Sequence, residues 1–427
     1  MSLLLRLLYN LAFPVVLVLM LPSFGIRMIR RGNYRHKFGQ RFGIYSRRVL
    51  GKLEGHRWTL VHAVSVGEVM IALKLITEMR EHNPGLHVVL STTTSTGYRL
   101  AHRHKSPLLE PIYHPLDLPW VVRHALKVTN AERLILVEAE VWPNMMAAAR
   151  RIPKILVNAR LSSRSERRYG LVRPFAAALF NQLDILCVQE PADAKRWESL
   201  GVKKDKIRMT GSIKFDPELP SPTATPRDFR GVLDAFGISP AVPVVLGGST
   251  FDGEELLLAE VARTLQKAFP GLFLILVPRH AERSAKILSQ LKERGYSVAL
   301  RSEPPPSTPP EILLVNTTGE LKDWYACATV VFIGKSLTAH GGQNPAEAIA
   351  AGKPVLFGPN MQNFASLTRQ MLEAGGAIQV GSGEELAEAM TEILRTPGRA
   401  ETIAKAAASA LNVHKGATAR TVAEIFR

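Results

Sequence analysis

A chain of 427 residues with ordinary apolar content holds enough material for two large domains or three smaller ones, each with its own core. Its two cysteines, Cys187 and Cys327, lie in apolar segments, which excludes a disulfide scaffold and a cysteine-built metal site and fits reduced thiols in the cytosol. The formal net charge of +17 narrows the partners to anionic ones: nucleic acid, a membrane surface or an anionic substrate.

Residues 3–26 are strongly apolar, interrupted by Arg6, Asn10, Pro14 and Pro22. That length approaches the roughly 20 residues that cross a bilayer. Arg27, Arg30, Arg31, Arg35, Lys37, Arg41, Arg47 and Arg48 follow with no acidic residue before Glu54, a bias that places the rest of the chain in the cytoplasm. The expectation is a membrane-anchoring helix at 1–26 and a basic juxtamembrane segment at 27–57. Pro14 leaves open whether the anchor spans the bilayer or lies in its interface.

From Trp58 the pattern alternates between short apolar runs and helical periodicity. The run 58–64 predicts a strand, followed by Ser65-Val66-Gly67-Glu68 at a helix start. Glu68 thus lies past a strand's carboxyl end, on the crevice side of an open α/β sheet, where it either balances the helix dipole or does chemistry. The strand 87–92 ends in a hydroxyl-rich turn containing Thr94, which either caps a helix or meets phosphate or sugar oxygens. Strand 134–137 runs into Glu138-Ala139-Glu140 and then Trp142-Pro143-Asn144; two carboxylates there serve as helix caps, or in acid/base work, or in binding a polyhydroxylated sugar. Strand 154–157 leads to a basic cluster of Arg160, Arg164, Arg167 and Arg168, and runs at 185–188 and 207–210 complete a first α/β domain over 58–216.

Residues 217–241 open on PELPSPTATP, a linker composition. A second α/β domain is expected over 242–427. Its first strand, 244–246, leads into Gly247-Gly248-Ser249, glycines that suit close approach of a phosphate. Strand 272–277 ends before Arg279, a candidate phosphate partner. Strand 330–333 ends at Gly334-Lys335, and after Gly341-Gly342 the string Asn344-Pro345-Ala346-Glu347 has the form of a helix start with a capping box. Its backbone N–H groups suit a phosphate, and Glu347 suits ribose hydroxyls; capping alone is the plainer alternative. Alternation on both sides of a linker predicts two doubly wound, Rossmann-like α/β domains facing across a cleft. Neither half carries a dinucleotide fingerprint after its first strand, so a nicotinamide-dependent dehydrogenase is not expected.

Several strings together resemble the 3-deoxy-manno-octulosonic acid (Kdo) transferases of lipid A assembly, which are GT-B glycosyltransferases. Gly341, Gly342, Asn344 and Glu347 match a GG-x-N-x-x-E core, and Gly358, Pro359, Asn363 and Phe364 match the GP-x-x-x-NF that follows, with Asn360 where the family often carries His. His62 to Glu68 is similar to the family's H-x-x-S-x-GE, and Glu138 to Asn144 to its E-x-E-x-WPN. The resemblance implies a CMP-Kdo donor, a phosphorylated lipid A precursor as acceptor, an inverting displacement, no cofactor or metal, and a place at the cell inner membrane. It makes Glu68 the general base. Gly248, Ser249, Arg279, Gly334, Lys335, Gly341, Gly342, Asn344 and Glu347 become donor-side candidates. Ser65, Thr94, Glu138, Glu140, Arg160 and Arg164 become acceptor-side or sugar-binding candidates. A related GT-B enzyme using a UDP-sugar is the nearer alternative. A nucleic-acid binder is not expected, because outside the two basic clusters the charge is scattered.

Overall fold

The structure is a computed structural model and describes residues 3–31, 37–216 and 229–427. It divides into two compact units, Met1–Asp216 together with Gly416–Arg427, and Pro217–Lys415.

The first unit holds a parallel sheet of β1 (Trp58–His62), β2 (Val88–Thr92), β3 (Leu109–Tyr113), β4 (Ala131–Val137), β5 (Lys154–Ala159), β6 (Ile185–Val188) and β7 (Ile207–Met209). Its order is β3-β2-β1-β4-β5-β6-β7, so the winding reverses between β1 and β4. Alternate residues feed opposite faces: Leu134 and Leu136 enter one core, Ile135 and Val137 the other. Burial on both faces is why these strands read as nearly continuous apolar runs. The helix Val66–His82 covers one face with Val69, Ala72, Leu75, Ile76 and Met79.

The second unit repeats the plan with β8 (Val244–Thr250), β9 (Phe273–Pro278), β10 (Val298–Leu300), β11 (Ile312–Leu314), β12 (Val330–Ile333), β13 (Val355–Phe357) and β14 (Ala377–Gln379). The order is β10-β11-β9-β8-β12-β13-β14, all parallel, with the reversal between β8 and β12.

Three boundaries differ from the sequence reading. The last helix, Ala417–Phe426, belongs to the first unit rather than ending the second. Val422 and Ile425 join the core beneath Val66–His82, and the Asp216 carboxylate accepts from the N–H groups of Gly416 and Thr418, both at 2.8 Å, which ties the returning chain to the point of exit. Within the expected linker, 217–228 lies outside the described residues, and Phe229–Ala235 forms a helix whose Phe229 packs edge-on against Trp324 at 4.4 Å.

The segment expected to be a basic tether is in part domain core. Tyr45, Val49 and Leu53 are buried, and buried Gln40 accepts from the Tyr113 N–H at 2.9 Å. A helix does cover Leu3–Arg31 and runs through both prolines. Among the described residues no helix is long and apolar enough to cross a membrane. Cys187 is buried, Cys327 half-buried, and neither is in a disulfide among the described residues.

Candidate active site

Open α/β sheets bind ligands outside the carboxyl ends of their strands, where the winding reverses. In the first unit that place is the β1/β4 edge. Glu68, in the first helical turn after β1, is 9% exposed. Its Oε2 accepts from the Val64 N–H at 2.8 Å, and its Oε1 accepts from the Ser65 hydroxyl at 2.9 Å. Ser65 Oγ in turn accepts from the Glu68 N–H at 3.4 Å, a cap that also fixes the carboxylate's direction. Capping and chemistry are therefore not exclusive roles for this residue.

Glu138 and Glu140 follow β4 in the same neighbourhood. Burial raises the Glu138 carboxyl above its ordinary range, the Glu68 charge raises it further, and Lys214 and Arg160 pull it down. Glu140 is raised by burial, then by Glu68 and Glu138, with the Trp142 indole opposing. Three mutually repelling carboxyl groups, two of them held partly toward the neutral form, make a suitable acid/base set. Glu138 is held at φ 65°, a left-handed conformation that is costly for a side chain of this kind and common at functional sites.

Sequence reasoning did not select Lys214. It follows β7 in a polar string, and Asn158 at the end of β5 holds that loop, its Oδ1 accepting from the Ile213 N–H at 3.0 Å. Burial lowers the Lys214 ammonium and Glu138 supports it. Ser65 and Thr94, expected as sugar contacts, have structural work for their hydroxyls. Thr94 Oγ1 caps Gly97 N–H at 3.1 Å and donates to the Val64 carbonyl at 3.1 Å, which braces the turn before Glu68. Arg160 is half-buried beside Glu138, whereas Arg164 lies exposed on the next helix. His62 is buried and stacked on His114 at 3.6 Å, held by burial down to about 4, so both rings are neutral packing groups beneath the site.

In the second unit the corresponding edge is β8/β12. Ser249 is left-handed at φ 54° where the β8–β9 register shifts, and Lys335 is left-handed at φ 57° just past β12. The glycines serve packing first. A Cβ on Gly334 would lie 2.4 Å from the Ser249 carbonyl, and one on Gly248 would lie 2.7 Å from the buried Tyr325 hydroxyl. Gly341 and Gly342 have φ of 112° and 69°, and added Cβ atoms would strike Asn363 and Met361. The GG and GP-x-x-x-NF strings are thus two halves of one packed loop pair.

The loop amides ahead of the helix start at 344–347 are largely engaged within the unit. Glu254, fully buried, accepts from the N–H groups of Lys335 (2.6 Å), Ser336 (2.9 Å), Leu337 (3.1 Å) and Phe251 (2.8 Å). Gly341 N–H donates to Gln362 Oε1 at 2.8 Å, and Gly342 N–H to the Lys335 carbonyl at 3.0 Å. Asn344 Oδ1 caps the helix Ala346–Ala350 through the Ala346 N–H at 3.1 Å, as its position predicts, and Glu347 is exposed on that helix. What this edge offers an anion is side-chain charge. Arg279, exposed after β9, and Lys335, whose ammonium stands 5.3 Å from the centre of the Phe251 ring, form no ion pair with the described residues. Arg283 nearby is engaged by Glu255 and Asp252 at 3.0 and 2.9 Å.

Residues 36–217 match the family model of 3-deoxy-D-manno-octulosonic-acid transferase (kdotransferase). Over 411 residues the chain is 30% identical to the 3-deoxy-D-manno-octulosonic acid transferase of Haemophilus influenzae, covering 94% of this chain and 93% of that one. The chain belongs to the Kdo transferase family. Another Kdo transferase, from Bordetella pertussis, is 34% identical over 396 residues, with 90% and 89% of the two chains covered. As a Kdo transferase the protein is a glycosyltransferase, and its paired parallel sheets are of the GT-B kind. The fold is shared with the UDP-GlcNAc 2-epimerase of Neisseria meningitidis bound to UDP-GlcNAc, at a TM-score of 0.57 and 16% identity, covering 86% of this chain and 100% of that one.

Proposed function

We propose that this Kdo transferase takes Kdo from CMP-Kdo and attaches it to a phosphorylated lipid A precursor in one inverting displacement. The observation that carries the reading is the oriented Glu68 carboxylate beside Glu138 and Glu140 at the β1/β4 edge. Glu68 removes the proton from the acceptor hydroxyl as its oxygen attacks the anomeric carbon. The bond from that carbon to the CMP phosphate breaks, the phosphate leaves with the electron pair, and the configuration inverts. Arg279 and Lys335 in the second unit offset the charge on the departing phosphate, and Glu347 accepts from ribose hydroxyls.

The acceptor is lipid-linked, and the reading places the enzyme on the cytoplasmic face of the inner membrane. The helix Leu3–Arg31 supports this, since Leu7, Leu8, Leu11, Val15, Val18 and Leu19 are exposed along it. The test is incubation of the full chain and a lipid A precursor with CMP-Kdo or with UDP-sugars. Kdo transfer from CMP-Kdo is expected; transfer from a UDP-sugar alone would overturn the donor assignment.

Arg279→Ala should fold normally and lose donor affinity or turnover. A charge-assisted contact to phosphate contributes roughly 1.5–3 kcal/mol, or about ten- to a hundredfold in kcat/KM for the donor. Wild-type donor kinetics in this variant would remove Arg279 from the site.

A further inference from the structure

The N-terminal helix carries two polar groups on the side that meets the rest of the first unit. Tyr9 Oη donates to Asp117 Oδ2 at 2.9 Å, and Asn10 Oδ1 accepts from Asn144 Nδ2 at 2.6 Å. One turn further on, Phe13 packs edge-on against Trp142 at 6.4 Å. A helix that only held the protein to a lipid surface would need none of these contacts.

Their partners are the groups that fix the turn after β4. Asp117 and Asn144 are 2% and 1% exposed. Trp142 precedes the helix Pro143–Ala148 and provides no side-chain cap. Asp117 supplies one from a distant loop, its two carboxylate oxygens accepting from the N–H groups of Asn144 (2.9 Å) and Met145 (2.8 Å). Asn144 Nδ2 also donates to the Asp117 carbonyl at 2.6 Å. Arg6, on the same helix as Tyr9, favours the Asp117 charge against the penalty of burial. Glu140 lies two residues before Trp142 and Glu138 four residues before it, so whatever fixes the start of this helix fixes the two carboxyl groups.

We propose that the N-terminal helix is a positioning element of the active site: through Tyr9 and Asn10 it holds Asp117 and Asn144, and through them the turn that presents Glu138 and Glu140. The inference rests on the proposed reading in which those carboxyl groups serve Kdo transfer.

The test uses the full chain carrying Tyr9→Phe and Asn10→Ala together, assayed with CMP-Kdo and a lipid A precursor in detergent micelles. Absence of transfer by the unaltered chain would be a failure of the functional reading and not of this one. With transfer established, the double variant should keep CMP affinity and its association with vesicles of phosphatidylethanolamine and phosphatidylglycerol. Its kcat should fall roughly tenfold, the scale of a small misplacement of a reacting group. Any step of its kcat/KM profile that follows ionisation of Glu138 or Glu140 should also move to lower pH. Glu138 and Glu140 lie above the ordinary carboxylate range through burial first and the Glu68 charge next, with Lys214, Arg160 and Tyr169 also facing them. A loosened turn admits water, which favours their charged forms. Unchanged kcat and an unchanged pH profile would overturn the proposal. So would a loss of activity seen only on vesicles, together with lost vesicle association, since that marks a tether. Should the double variant fail to fold, Tyr9→Phe alone removes one oxygen and is judged by the same two readouts.

Discussion

Glu68→Gln should yield a folded protein that binds CMP through its second unit and transfers Kdo about two to four orders of magnitude more slowly, the range for a lost general base. Glutamine keeps the shape and still offers an oxygen to the Val64 N–H, so the turn before the helix stays capped. What it cannot do is take a proton. Glu68→Ala also removes the cap and should add a stability loss of about 1 kcal/mol, readable as a lowered Tm. Comparing the two variants separates chemistry from capping. The glutamine variant carries a second marker. The Glu68 charge is among the causes that raise Glu138 and Glu140, so its removal should let both ionise at lower pH, and any step of the residual pH profile that follows their ionisation should move down with them. A near wild-type rate in Glu68→Gln would leave Glu68 as a cap and transfer the role of base to Glu138 or Glu140.

The strands that position this site were legible because a parallel strand buried on both faces is apolar throughout, as Val330–Ile333 and Ile185–Val188 are. Strands β3, β10 and β14, whose sequences carry no apolar run of that length, all lie at sheet edges. β3 contains Pro111, tolerable at an edge, and a buried Glu110 that is paired with Lys52 and Lys105 at 2.9 and 2.7 Å, so its sequence does not read as a strand. The carboxylates of the site were legible for a simpler reason. Acidic residues directly after buried strands stand out against their surroundings, whichever role they serve. Lys214 did not stand out, because nothing local to its polar string shows that Asn158, from another strand, holds the loop. Asp117 and Tyr9 were hidden in the same way. Capping by a residue 27 or 28 positions earlier in the chain, as at Asn144 and Met145, leaves no spacing to read.

Long-range partnering of the same kind engages the amides just after β12, and Glu254 is where it can be tested. Its carboxylate accepts four backbone N–H bonds, three of them from Lys335, Ser336 and Leu337, some 80 residues later in the chain. An internal anion thus holds amides of the loop that leads toward the helix start at 344–347, where the sequence suggested a phosphate. Removing it strands several buried N–H donors at about 1–3 kcal/mol each, so Glu254→Ala should destabilise the second unit by more than 3 kcal/mol. Glu254→Gln keeps one acceptor oxygen but turns an NH2 group toward donors; a smaller loss, roughly 2–3 kcal/mol, is expected in a denaturant titration. The informative measurement is CMP affinity in the folded glutamine variant. If Glu254 is scaffolding, the loop that carries Lys335 loses its shape and CMP binding weakens along with stability. If instead the carboxylate holds the amides in place of a donor phosphate, the variant releases them and CMP binds more tightly while stability still falls. Weakened binding is expected, because Gly334, Gly341 and Gly342 are already closed on by Ser249, Asn363 and Met361, leaving the loop no room to turn its amides outward.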